Sequence, residues 1–134
     1  MRARLSGLIV AAALLGAGDA PHAQATSQRI VVQNYYFALP GKTQAVYELR
    51  LHASAVRASL GLPRGRVLRR EQDKPGSAAR ELPDVVWECE YPSASAREED
   101  VAKLGHSEEF ARVEKQMDSL LRDFQRIVFT VSSD

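Results

Sequence analysis

One stretch, Arg29 to Phe37 (RIVVQNYYF), limits what this chain can fold into more than any other. Its β-branched and aromatic residues read as a strand, and Leu39-Pro40-Gly41 ends it. Successive side chains of a strand point to opposite faces, so Ile30, Val32, Asn34 and Tyr36 share one face and Val31, Gln33, Tyr35 and Phe37 the other. Both faces carry apolar groups. A strand of that kind belongs inside a sheet with cover on each side.

The remaining residues supply one cover. From Lys42 to about Leu60, the apolar residues Val46, Leu49, Ala53, Val56 and Leu60 are spaced 3, 4, 3, 4, which is one stripe of an amphipathic helix; Gly61 and Pro63 end it. Arg64 to Glu71 reads as a second strand with Val67 and Leu68 on opposite faces. The polar stretch Gln72 to Asp84, with Pro75-Gly76 and Pro83, reads as a long hairpin loop. Asp84 to Tyr91 is a third strand, with Val85, Trp87, Cys89 and Tyr91 on an apolar face and Val86, Glu88 and Glu90 on a partly acidic one. Pro92 closes it, and Ser95-Ala-Arg-Glu98 has the form of a capping box. The helix that follows pauses at Gly105; Ser107 can cap a second segment carrying Phe110, Val113, Met117, Leu120 and Phe124, before a last strand from Arg126 to Val131. The order is βαββαβ. This predicts an α+β, ferredoxin-like domain: a four-stranded antiparallel sheet with helices on one face. The other face is left open, which points to a second copy of the chain as its cover.

The first 25 residues differ from the rest. A basic head (Met1-Arg-Ala-Arg4) precedes an uncharged apolar run from Leu8 to Leu15, then Gly16, Gly18, Pro21 and the small-residue stretch Ala23-Gln24-Ala25. This is the layout of a secretory signal peptide, and the run falls short of the roughly 20 residues that cross a bilayer. The expectation is a signal at 1–25, cut after Ala25 or Ala23, and a single exported domain at 26–134, periplasmic or secreted from a bacterium and free of the membrane after cleavage. Of 18 basic and 17 acidic residues in the chain, Arg2, Arg4 and Asp19 leave with the signal, so the mature domain is close to neutral. That balance predicts no nucleic-acid partner. Cys89 is alone, so no internal disulfide forms even in an oxidising compartment, and its place between Trp87 and Tyr91 reads as a buried, inert thiol.

Few residues offer chemistry. His52 lies three residues after Leu49 and four before Val56, at the edge of the helical stripe, where an imidazole either meets water or reaches a pocket as a general base. His106 follows Gly105 and reads as a turn or cap residue, with ligand contact as the alternative. The two are far apart and have no carboxylate at ligand spacing, so no metal site is expected; no phosphate loop, nucleophile elbow or dinucleotide motif is present, so no cofactor is expected either. Asn34, Tyr35, Tyr36 and Trp87 form the most informative set. Adjacent strands bring them together as core filling or as the wall of a pocket for a flat organic ligand. Glu88 and Glu90 either stay in water or meet Arg66 or Arg70 across a hairpin.

Three segments, Tyr36-Phe-Ala-Leu-Pro-Gly-Lys42, Val86-Trp-Glu-Cys-Glu-Tyr-Pro-Ser93 and His106-Ser-Glu-Glu-Phe110, resemble the dimeric α/β-barrel superfamily, and in particular its NIPSNAP-like and antibiotic-biosynthesis-monooxygenase-like domains. The resemblance spans residues 29–131. It implies that two sheets from two subunits close into a barrel, and that the partner of this chain is itself. The superfamily includes cofactor-independent monooxygenases, heme-degrading enzymes and proteins of unassigned role. Asn34 matches the first-strand Asn of the heme-degrading members, but Trp87 lies on a strand and no His occupies the position expected after Phe110. The leading expectation is therefore an exported homodimer that binds a small apolar or aromatic molecule. The alternative is a cofactor-independent monooxygenase or isomerase in which Tyr36, Asn34 and His52 polarise or deprotonate a small aromatic substrate. A third reading, a structural or stress-related interaction protein, predicts a filled core without a cavity.

Overall fold

The computed structural model describes residues 27–71 and 82–133. The expected signal segment at 1–25 and most of the expected hairpin loop lie outside the described residues. The elements run β1 (Ile30–Ala38), α1 (Thr43–Ser59), β2 (Arg66–Arg69), β3 (Val85–Tyr91), α2 (Ala94–Gly105), α3 (Glu108–Asp118) and β4 (Leu121–Thr130). They form one antiparallel sheet in the order β2-β3-β1-β4. The strand with two apolar faces is an inner strand, as its composition requires. Ile30, Val32, Asn34 and Tyr36 of β1 lie beside Val85, Trp87, Cys89 and Tyr91 of β3, and this face meets Val46, Leu49, Ala53 and Val56 of α1 and Phe110, Val113 and Met117 of α3.

The opposite face holds a polar ladder. The Gln33 amide and the Arg66 guanidinium each lie 2.5 Å from the Glu88 carboxylate, and Arg29 pairs with Glu90 at 2.8 Å. Arg70 pairs instead with Asp84, at 3.0 Å. Strand β4 forms an edge of the sheet and exposes apolar groups on both faces: Phe124 and Val128 on the helix side, Ile127 and Phe129 on the other.

Three local expectations are corrected. The cap of α2 is Ser93 and not Ser95: the Ser93 hydroxyl accepts the Ala96 N–H at 3.0 Å, and Ser95 is already inside the helix. Helix α3 ends at Asp118, so Leu120 and Phe124 are not on its stripe, and β4 begins at Leu121 rather than Arg126. Phe124 is drawn into the strand by its cross-strand partner Tyr36, the two rings lying 5.3 Å apart. Finally, Leu60 is exposed beyond the last turn of α1, and Leu62 is the buried residue there.

Candidate functional site

Trp87 is the platform of the site. Its indole N–H donates to the Arg64 carbonyl at 2.9 Å, which pins the ring beneath α1. The chain passes so close that only glycine fits at position 65: φ is +70° there, and a Cβ would lie 2.3 Å from the indole nitrogen. Above the ring stand two guanidinium groups of α1, Arg50 at 5.1 Å and Arg57 at 4.7 Å from the ring centre. They are seven residues apart, two helical turns, and so share one side of the helix.

The two cations are treated differently. Arg57 is fork-bonded to Asp100 of α2 at 2.9 and 2.5 Å, and also donates to the Pro63 carbonyl at 2.7 Å and the Tyr91 hydroxyl at 3.1 Å. Arg50 is only 5% exposed, yet it has no carboxylate in ion-pair range among the described residues. It reaches the Tyr36 hydroxyl at 3.4 Å and the Ser54 hydroxyl at 3.5 Å, both long for an N–H···O bond, and its Nε–H has no acceptor. Burial lowers the pKa of Arg50, and the nearby positive charge of Arg57 adds to that effect against the Tyr36 phenol. Burial also acts against Arg57, but the hydrogen bonds and negative charge of Asp100, with Tyr91, outweigh it and raise its pKa.

Arg50 and Arg57 face a cavity of about 510 Å³ between the sheet and the helices. Its walls are mixed, with Val32, Trp87, Phe110, Val113, Met117 and Phe124 among the apolar ones. Asn34 and Tyr36 add polar tips from β1: the Asn34 amide lies 3.5 Å from the Tyr36 hydroxyl, and its carbonyl oxygen accepts from Arg126 of β4 at 2.8 Å. Asp100, Glu114 and Asp118 with Arg97 and Arg126 complete the charged lining. Among the described residues no group of three or more His, Cys, Asp or Glu is placed to hold a metal ion.

The structure thus brings Asn34, Tyr36 and Trp87 together at one cavity and leaves the other named residues outside it. Tyr35 lies on the opposite sheet face, where its hydroxyl donates to Gln33. His52 does not line the cavity. The buried arc of α1 runs from Leu49 and Val56 across Ala53 to Arg50, Arg57 and Ser54, and His52 falls off its other flank, half exposed and 3.6 Å from Glu109. His106 is an exposed residue capping the end of α2, also outside the cavity. Cys89 is buried, and burial pushes its thiol up.

Sequence reasoning missed Arg50, Arg57, Asp100 and Arg126. A signal for the first two was present: arginines seven apart, each directly following a stripe residue and flanking the small pair Ala53-Ser54, sit on the buried arc and not opposite it.

The arrangement defines a ferredoxin-like α+β domain with a cavity under its helices. No protein-family model matches the sequence, and no curated protein does. Solved structures share the fold. A NIPSNAP family protein from Agrobacterium tumefaciens is 20% identical, with a TM-score of 0.58 over 79% of this chain and 94% of that one. An uncharacterized NIPSNAP-like domain protein from Burkholderia xenovorans is also 20% identical, with a TM-score of 0.54 over 78% and 86%. A dimeric protein of unknown function and ferredoxin-like fold from Bacteroides fragilis is 11% identical, with a TM-score of 0.55 over 77% and 96%. The resemblance to NIPSNAP-like domains therefore holds at the level of the fold.

Proposed function

We propose that this chain is an exported, homodimeric binding domain whose cavity between sheet and helices holds a small apolar or aromatic molecule. The observation that carries the reading is the cavity itself, about 510 Å³, in which aromatic and aliphatic walls are interleaved with charged side chains; a concave site with apolar wall and convergent polar groups is where small molecules bind. Two features support a second copy as partner. The outer edge strand β4 leaves Phe124, Ile127, Val128 and Phe129 exposed, and the Bacteroides fragilis neighbour is described as dimeric. Export rests on the charge and hydropathy pattern of residues 1–25.

Native mass spectrometry of the protein recovered from a periplasm tests all three parts. The expected spectrum is a dimer that begins at Thr26 or Gln24 and carries a small bound mass. A monomer at micromolar concentration sinks the homodimer; an uncut N-terminus sinks export.

One observation favours a catalytic reading beside it: the Tyr36 hydroxyl stands at the cavity between Asn34 and a buried guanidinium. In that reading a cofactor-independent monooxygenase or isomerase uses Tyr36 and Asn34 on a small aromatic substrate, and His52, outside the cavity, takes no direct part. Turnover of a panel of phenols and quinones, abolished in Y36F with the dimer intact, is the expected result; no turnover by the unaltered protein rejects it.

A further inference from the structure

Resting on the reading of this cavity as a ligand site, we infer that its ligand is an anion, a carboxylate on an apolar or aromatic body, whose head group is taken by Arg50. Three observations converge on that residue. Arg50 is 5% exposed and lines the cavity, so its charge has left bulk water without reaching a counter-ion. Among the described residues its Nε–H has no acceptor, and its two hydrogen bonds, to Tyr36 and Ser54, are long. The nearest buried carboxylate, Asp100, is already occupied by Arg57 through both oxygens. A guanidinium presents parallel N–H groups that match the two oxygens of a carboxylate, and such paired bonds are among the stronger hydrogen bonds in proteins. A buried charge without a partner is costly, and a bound carboxylate supplies the missing charge.

The surroundings set the class further. The Tyr36 hydroxyl and the Asn34 amide stand beside the head group, while Phe110 and Met117 offer apolar wall to the body of the ligand. Glu114 and Asp118 also line the cavity. Arg97 and Arg126 line it too and offset them, so with Arg57 paired to Asp100 the single charge of Arg50 is left over, which suits a monocarboxylate better than a dianion such as a phosphate monoester.

Trp87 is the single tryptophan of the chain and lies directly under Arg50, so its fluorescence reports occupancy. The test titrates the mature protein with 4-phenylbutyrate and with its neutral isostere 4-phenylbutyramide. The expected result is a carboxylate bound at least about tenfold more tightly than the amide, with that preference lost in R50M and reduced in R50K, which keeps the charge but not the fork. Equal binding of the two probes overturns the anion while leaving the cavity a ligand site. A preference that survives R50M overturns the role of Arg50. No response to either probe at millimolar concentration overturns the cavity reading and this inference with it. Thermal unfolding of each variant separates lost binding from lost fold, and R50K carries the test if R50M does not fold.

Discussion

The two ends of the cavity hold the same side chain in opposite states. At one end Arg57 makes four hydrogen bonds and an ion pair whose partners are 3% and 4% exposed. At the other, Arg50 stacks on the same indole with two long contacts and an idle Nε–H. Their pKa values move in opposite directions for that reason, Arg57 up and Arg50 down. The Arg57 end fastens the fold: Asp100 is the only buried residue of α2, so the ion pair is the main tie between that helix and α1. The Arg50 end carries an unsatisfied charge that folding alone does not explain. Both arginines are buried, 5% and 2% exposed, so what separates a structural arginine from a binding one is whether its hydrogen bonds are already made.

Breaking the saturated end is expected to have the largest effect. D100A leaves the Arg57 charge buried without a partner and should cost about 3–5 kcal/mol in urea unfolding, while R57M/D100L, which removes both charges, should recover most of that loss. Removing the shared platform comes next. G65A forces a side chain into the Trp87 indole and a left-handed backbone; a loss of about 1–3 kcal/mol and a red-shifted tryptophan emission are expected. The unsaturated end behaves differently: R50M should leave the stability of the ligand-free protein unchanged or higher, because an apolar side chain of similar length replaces a poorly paired buried charge. Loss comparable to that of D100A in this variant erases the contrast between the two arginines.

The smallest effect lies on the opposite sheet face. Hydrogen bonds from Gln33 and from Arg66 hold the Glu88 carboxyl below its ordinary value of 4.5. A pKa lower in the folded than in the unfolded chain stabilises the fold above that ordinary value, and the contribution fades as pH falls through the folded one. The stability difference between the unaltered protein and E88Q should therefore be under about 1 kcal/mol at pH 7 and vanish in acid, as paired unfolding curves at the two pH values would show.

Much of the frame was legible before the structure. The two apolar faces of Arg29–Phe37 placed that strand inside the sheet, the alternation of Val85, Trp87, Cys89 and Tyr91 set the face of β3, and the break at Gly105 with its Ser107 cap separated α2 from α3. The join between α3 and β4 was misread because Leu120 and Phe124 continue a helical spacing by coincidence, and only pairing with β1 reveals the strand. Ser95 has the better capping-box pattern in sequence, with Glu98 three residues on, yet it is Ser93 that keeps an extended backbone and accepts the Ala96 N–H. At the site, Asn34, Tyr36 and Trp87 were legible as aromatic and polar groups on neighbouring strands, whereas the arginines were passed over despite their spacing, since long charged side chains ordinarily stay in water.

What the sequence determined by itself was the order of the elements and the face to which each strand residue points, because both follow from local periodicity. Tertiary structure decided which arginine is neutralised. Asp100 lies 43 residues beyond Arg57, and only the docking of α2 against α1 brings the carboxylate to that guanidinium and withholds it from Arg50. Charge pairing across such a distance depends on where helices settle in space, and no periodicity along the chain encodes it.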